Sequence, residues 1–98
     1  MVRRLIWSIT AQNSRKNIFD YCNYRNKSKV YSNKLNLLFN ENLRIVLKLP
    51  EFGTSVNTAD IKFIIISHFE LIYKITPTEI IVLDIWDTRQ RPKNFLFK

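Results

Sequence analysis

"IKFIIISHFELIYKITPTEIIVLDIW", residues 61–86, decides the fold. Three runs dense in β-branched and aromatic residues, at 61–66, 69–75 and 80–86, are parted by Ser67-His68 and by "TPTE" at 76–79. Each run has the length of a strand, and each break is short enough for a hairpin. The stretch therefore predicts three consecutive strands, each antiparallel to the one before.

Toward the N-terminus, "PEFGTSVNTAD" at 50–60 is the least regular segment and holds the single Gly, which reads as the loop that carries the chain into the sheet. Before it, Tyr31, Leu35, Leu38, Phe39, Leu43, Ile45, Val46 and Leu49 recur at three- and four-residue steps. That spacing predicts a helix, with Ser28 as its N-cap and Pro50 as its stop. "RNKSK" at 25–29 separates it from a second amphipathic segment, about 9–24, with Ala11, Ile18, Tyr21 and Cys22 on one side, Phe19 flanking them, and Gln12, Arg15, Lys16 and Asn23 opposite. "VRRLIW" at 2–7 reads as a strand ending at Ser8, the N-cap of that first helix. The expected fold class is α+β, in the order strand, helix, helix, strand, strand, strand, with a mainly antiparallel sheet backed by a two-helix hairpin.

At 98 residues the chain fits one domain, and 46% hydrophobic residues with one Gly and three Pro give it the means to bury a core. The formal charge is +8, concentrated at the two ends. Residues 1–34 carry eight Lys and Arg against Asp20 alone, residues 35–88 carry four against seven acids, and residues 89–98 carry four and no acid. Should both ends meet on one face, that face would bind a polyanion; scattered, the charge would be solvated surface. Cys22 is the only cysteine, so no internal disulfide forms and a reducing compartment is expected. With one His and one Cys, no zinc site and no cofactor are expected. No apolar run of about 18 residues exists to cross a membrane, and the chain is expected to be soluble and cytoplasmic.

The order of elements, with "IWS" before the first helix, "IFDYCNYRNKSKVYSNKL" across the hairpin, "LPEFG" after it, "FELIYKI" and "IIVLDIWDTRQRP", resembles the RelE/ParE superfamily of toxins from type II toxin–antitoxin modules. The resemblance covers nearly the whole chain. It implies a small toxin held inactive by a cognate antitoxin protein. RelE-like members cut messenger RNA in the ribosome, whereas ParE-like members act on DNA gyrase. Carried over position by position, the resemblance places functional residues at Lys62, Tyr73, Arg89 and Arg91, and it places Glu70 where the family pattern has Arg. A carboxylate there would repel a scissile phosphate, which pulls toward a gyrase poison or an attenuated toxin, whereas the dense positive charge pulls toward ribosome-dependent mRNA cleavage, the first expectation.

Cleavage through a 2′-hydroxyl needs a group to take its proton and cations to neutralise the phosphorane. Arg89, Arg91, Lys62, Tyr73 and the sole imidazole, His68, form the candidate catalytic set. Arg15, Lys16, Arg25, Lys27, Lys29 and Lys93 are the candidate nucleic-acid contacts. Each has a plainer reading: Tyr73 as core with its hydroxyl at the rim, Lys62 facing water, His68 as a turn residue, and the cationic segments as solubility charge. Trp86 and Asp87 read as support, the indole closing the core and the carboxylate pairing with Arg89 or capping the turn.

Overall fold

The computed structural model describes residues 3–56 and 60–89. Its strands and helices follow as β1 (Arg4–Trp7), α1 (Ile9–Asn26), α2 (Val30–Lys48), β2 (Thr54–Ser55), β3 (Ile61–Ile66), β4 (Phe69–Ile75) and β5 (Glu79–Asp87). A single 3-10 turn, Pro50–Phe52, leads from α2 into β2. The sheet order is β1-β5-β4-β3-β2. Three pairings are antiparallel, and the fourth, β1 with β5, is parallel. The α+β order expected from the sequence holds, with the short β2 as an additional edge strand.

Local chemistry sets the helix ends. Ser8, in extended conformation, accepts the Ala11 N–H through its hydroxyl at 3.0 Å and donates to the Leu83 carbonyl at 3.0 Å. One serine thus caps α1 and ties its start to β5. At the other end Lys27 takes the left-handed conformation (φ 54°), and its N–H closes the helix on the Asn23 carbonyl. The N-cap of α2 is Lys29 rather than Ser28, although the Ser28 hydroxyl still accepts the Val30 N–H at 3.1 Å. The buried Ser32 hydroxyl donates to the Asn23 side chain and fastens the two helices near their turn.

The core lies between the helix pair and one face of the sheet. Phe39, Leu35, Leu43 and Val46 of α2 and Ala11 of α1 pack on Ile64, Ile66, Phe69, Leu71, Tyr73, Ile80, Val82 and Ile85. Each buried Val, Leu, Ile and Phe among them contributes about 1.5–3 kcal/mol by leaving water. Tyr21 departs from the expected apolar stripe: it is 51% exposed, and Ile45 on α2 and Leu49, the residue that caps its end, are exposed as well. Trp86 is buried, but outside this cluster, alternating with Ile85 toward the face away from the helices. Between β4 and β5 the register slips at Ile72/Tyr73, which pair with Asp84 and Val82, so Leu83 is an extra residue. Among the described residues no helix is long and apolar enough to cross a membrane.

Candidate functional site

Lys62 alternates with Ile64 and Ile66 and therefore points to the helix side of β3, not to water: it is 5% exposed. Its ammonium meets the Glu51 carboxylate at 2.9 Å and the Ser55 hydroxyl at 2.8 Å. Its cross-strand neighbour Tyr73 is fully buried. The phenol donates to the Pro50 carbonyl at 2.7 Å and accepts the Gly53 N–H at 2.9 Å. Burial pushes the Tyr73 hydroxyl above its ordinary value of 10.0, against the opposing pull of the Gly53 N–H. Gly53 is required by closeness rather than by φ: a Cβ there would come within 2.7 Å of both the Phe63 carbonyl and the Tyr73 hydroxyl. Lys62 and Tyr73 therefore strap residues 50–55 across the sheet, with their polar atoms already engaged.

At the other end of β4, roughly 13 Å from Tyr73 at a strand's rise per residue, the hairpin turn Ser67-His68 brings different chemistry. Ser67 has positive φ (60°), matching the strand twist in a two-residue turn. The His68 ring lies against Phe69, centroids 4.6 Å apart, with Nδ1 3.3 Å from the Ser67 hydroxyl. Its carbonyl accepts both the N–H and the hydroxyl of Thr88, at 3.0 and 2.9 Å. His68 is thereby locked beside Asp87 and Arg89.

Asp87 accepts the backbone N–H of Arg89 at 2.8 Å and grips its guanidinium at Nε and Nη2, 3.2 and 3.1 Å away. The Asp87 side chain is 12% exposed and that of Arg89 58%. Burial alone would raise the Asp87 carboxyl, but hydrogen bonds from Arg89 and the charges of Arg89 and His68 hold it below the ordinary carboxylate range. Arg89 is raised in turn, first by its hydrogen bond to Asp87. The pairing expected of Asp87 is present, and it performs the turn-capping role as well.

His68, Asp87 and Arg89 form one wall of an open cleft of about 480 Å³. The C-terminal half of α1 supplies the opposite wall through Asn17, Tyr21, Arg25 and Asn26, with Tyr31 from α2. Cys22, Ile18 and Phe69 line it as well. Burial pushes the Cys22 thiol up, so it stays protonated and unreactive near neutral pH. The cleft combines two arginines, an imidazole and two phenols over a partly apolar lining, a donor set suited to an oxyanion.

The predicted residues divide accordingly. His68, Arg89 and Arg25 share the cleft, and Lys27 and Lys29 sit in the helix turn just past Arg25 and Asn26. Lys62 and Tyr73 belong to the strap. Arg15 lies over the Trp7 ring at 4.1 Å, and Lys16 pairs with Asp20 at 2.8 Å, which raises the Lys16 ammonium. Arg4 pairs with Glu79 and Arg3 donates to the Thr76 carbonyl, both at the far end of the sheet. The N-terminal cations thus form no single platform: Arg25 lines the same cleft as Arg89, whereas Arg3 and Arg4 do not. Arg91 and Lys93 lie outside the described residues. Tyr21 and Tyr31 are the contributors that sequence reasoning assigned to the core. Their position flanking the helix turn, where a phenol can pack and still reach water, is the signal that would have found them.

No protein-family model matches the sequence, and no curated protein matches it. Among solved structures, one described as "Chromosomal ParDE TA system from P. aeruginosa" contains a similar chain. The likeness covers 88% of this chain and 96% of that one, with a TM-score of 0.71 and 14% sequence identity. At that identity the likeness shows the fold, which is RelE/ParE-like, in agreement with the element order read from the sequence.

Proposed function

We propose that the protein is the toxin of a type II toxin–antitoxin module, working in the cytoplasm and acting on a nucleic-acid target through the cleft between α1 and the β4–β5 end of the sheet. The observation that carries this reading is the convergence of Arg25, His68 and Arg89 from three separate elements on one cleft, in a fold shared with a chain of a ParDE system. For RNA cleavage, Arg25 and Arg89 would neutralise the scissile phosphate and His68 would exchange the proton of the attacking 2′-hydroxyl. The unpaired cations Lys27 and Lys29 would steer the polyanion in. A cognate antitoxin would then act by covering this basic surface.

The second reading is a gyrase poison that cuts nothing. Glu70 stands where the RNA-cleaving pattern has Arg, and Lys62 and Tyr73 are tied into the strap, so much of the inherited catalytic set is absent from the cleft. Induction of the gene alone separates the two. The expected result is growth arrest with new message ends carrying 2′,3′-cyclic phosphate, and both effects should be lost in Arg25→Gln/Arg89→Gln. Arrest with intact messages and broken DNA would select gyrase. Unimpaired growth would remove the toxin reading altogether.

A further inference from the structure

We propose that the cleft is a proton-linked site for a single phosphodiester group, in which Arg25 and Arg89 are standing charges and His68 adds another when it takes up a proton. This rests on the reading of the cleft as the phosphate-contacting surface. The charged and titratable groups facing His68 are Arg25, Tyr21 and Cys22 from α1, Tyr31 from α2, and Asp87 and Arg89 from β5 and its continuation. With a neutral imidazole, two guanidiniums stand against one carboxylate, and protonation doubles the net positive charge. Asp87 occupies Nε and Nη2 of Arg89, which leaves the remaining N–H groups of that guanidinium for a ligand. The ring of His68 is held against Phe69 with Nδ1 beside the Ser67 hydroxyl, leaving Nε2 to meet an incoming oxygen. Its backbone is pinned to Thr88, so imidazole and guanidinium keep a fixed relation. An imidazole changes charge between about pH 5 and 8, whereas a phosphodiester does not, so any pH dependence of binding belongs to the protein. One extra charge beside the anion raises affinity roughly three- to tenfold as pH falls across that range.

Because the chain has one histidine, a single imidazole resonance reports the site directly by NMR. The purified full chain is titrated against pH alone, with a short single-stranded oligodeoxynucleotide, and with sulfate. The oligodeoxynucleotide should move the His68 titration midpoint upward and bind more tightly in acid. Arg25→Gln should abolish the upward move with a wild-type-like spectrum, whereas Lys74→Gln, on an exposed β4 residue outside the cleft, should retain it. A midpoint unmoved by either anion overturns the site, and a move with sulfate alone overturns the phosphodiester assignment. Growth arrest is not read here, so a chain that binds in this way without arresting growth keeps the proton-linked site and loses the toxin reading.

Discussion

The two ends of β4 carry similar residue types and use them in opposite ways. At the Tyr73 end the buried phenol is spent on the backbone of Pro50 and Gly53, and the buried ammonium of Lys62 on Glu51 and Ser55, so that each buried polar group already has its partners. At the His68 end two arginines, an imidazole and two tyrosines surround open volume, with one carboxylate among them. Residue identity therefore does not separate a structural group from a functional one. Satisfaction does: a buried polar group with all its partners specifies the fold, and donors gathered without enough acceptors invite an anion.

The contrast is most exposed to failure at Gly53. Gly53→Ala places a methyl 2.7 Å from two oxygens and should cost about 3 kcal/mol, read by urea denaturation, while the oligodeoxynucleotide affinity of the folded fraction stays within about twofold. A lost affinity would mean that the strap shapes the cleft. Next comes Tyr73→Phe, which leaves the Gly53 N–H and the Pro50 carbonyl without their shared partner and should cost about 1–2 kcal/mol. The Tyr73 hydroxyl has a raised pKa in the fold, so its contribution is complete below the ordinary 10.0 and is lost as pH climbs through the folded value. The phenylalanine variant should accordingly show a flatter alkaline limb in its stability profile.

Lys62→Met tests the strap from the other side. The ammonium is buried, but its partner Glu51 has a side chain 80% exposed, so removal of the lysine strands no charge in the interior. Thermal melting should find the variant within about 1 kcal/mol of the parent, on either side. The smallest effect is expected for Asp87→Asn. The depressed carboxyl of Asp87 contributes stability above the unfolded value, near pH 4, and loses it as pH falls through the folded value. Arg89 is more than half exposed, so this contribution is under about 1 kcal/mol and shows only as a shallower acid limb.

Much of the architecture was legible because it follows from periodicity and punctuation. Three β-branched runs with short breaks fix the meander, and the three- and four-residue steps of Leu35, Phe39, Leu43 and Val46 fix α2. The inward aim of Lys62 was also legible, since it shares parity with Ile64 and Ile66, but charge argued for water and the partner Glu51 lies eleven residues earlier on a different element. The two-residue β2 and the parallel pairing of β1 with β5 depend on long-range docking that no local pattern encodes. The cleft was half legible. His68 and Arg89 stood out by type, but their adjacency follows from the β4–β5 register, and Arg25 joins them only through helix packing.

Leu83, the supernumerary residue in β5, has a consequence beyond local twist. Before it, Ile80 and Val82 address the helices; after it, that duty passes to Ile85 and Asp87 instead of to Asp84 and Trp86. Drawing Leu83 into a regular ladder would turn Trp86 toward the core and swing Asp87, with the arginine it holds, onto the opposite side of the sheet, whereas excising that leucine would join Val82 to Asp84 and leave both faces as they are. The address of the cationic centre is thus written as a count of residues along one strand, in which the one residue that pairs with nothing keeps the chemistry beyond it on the helix side.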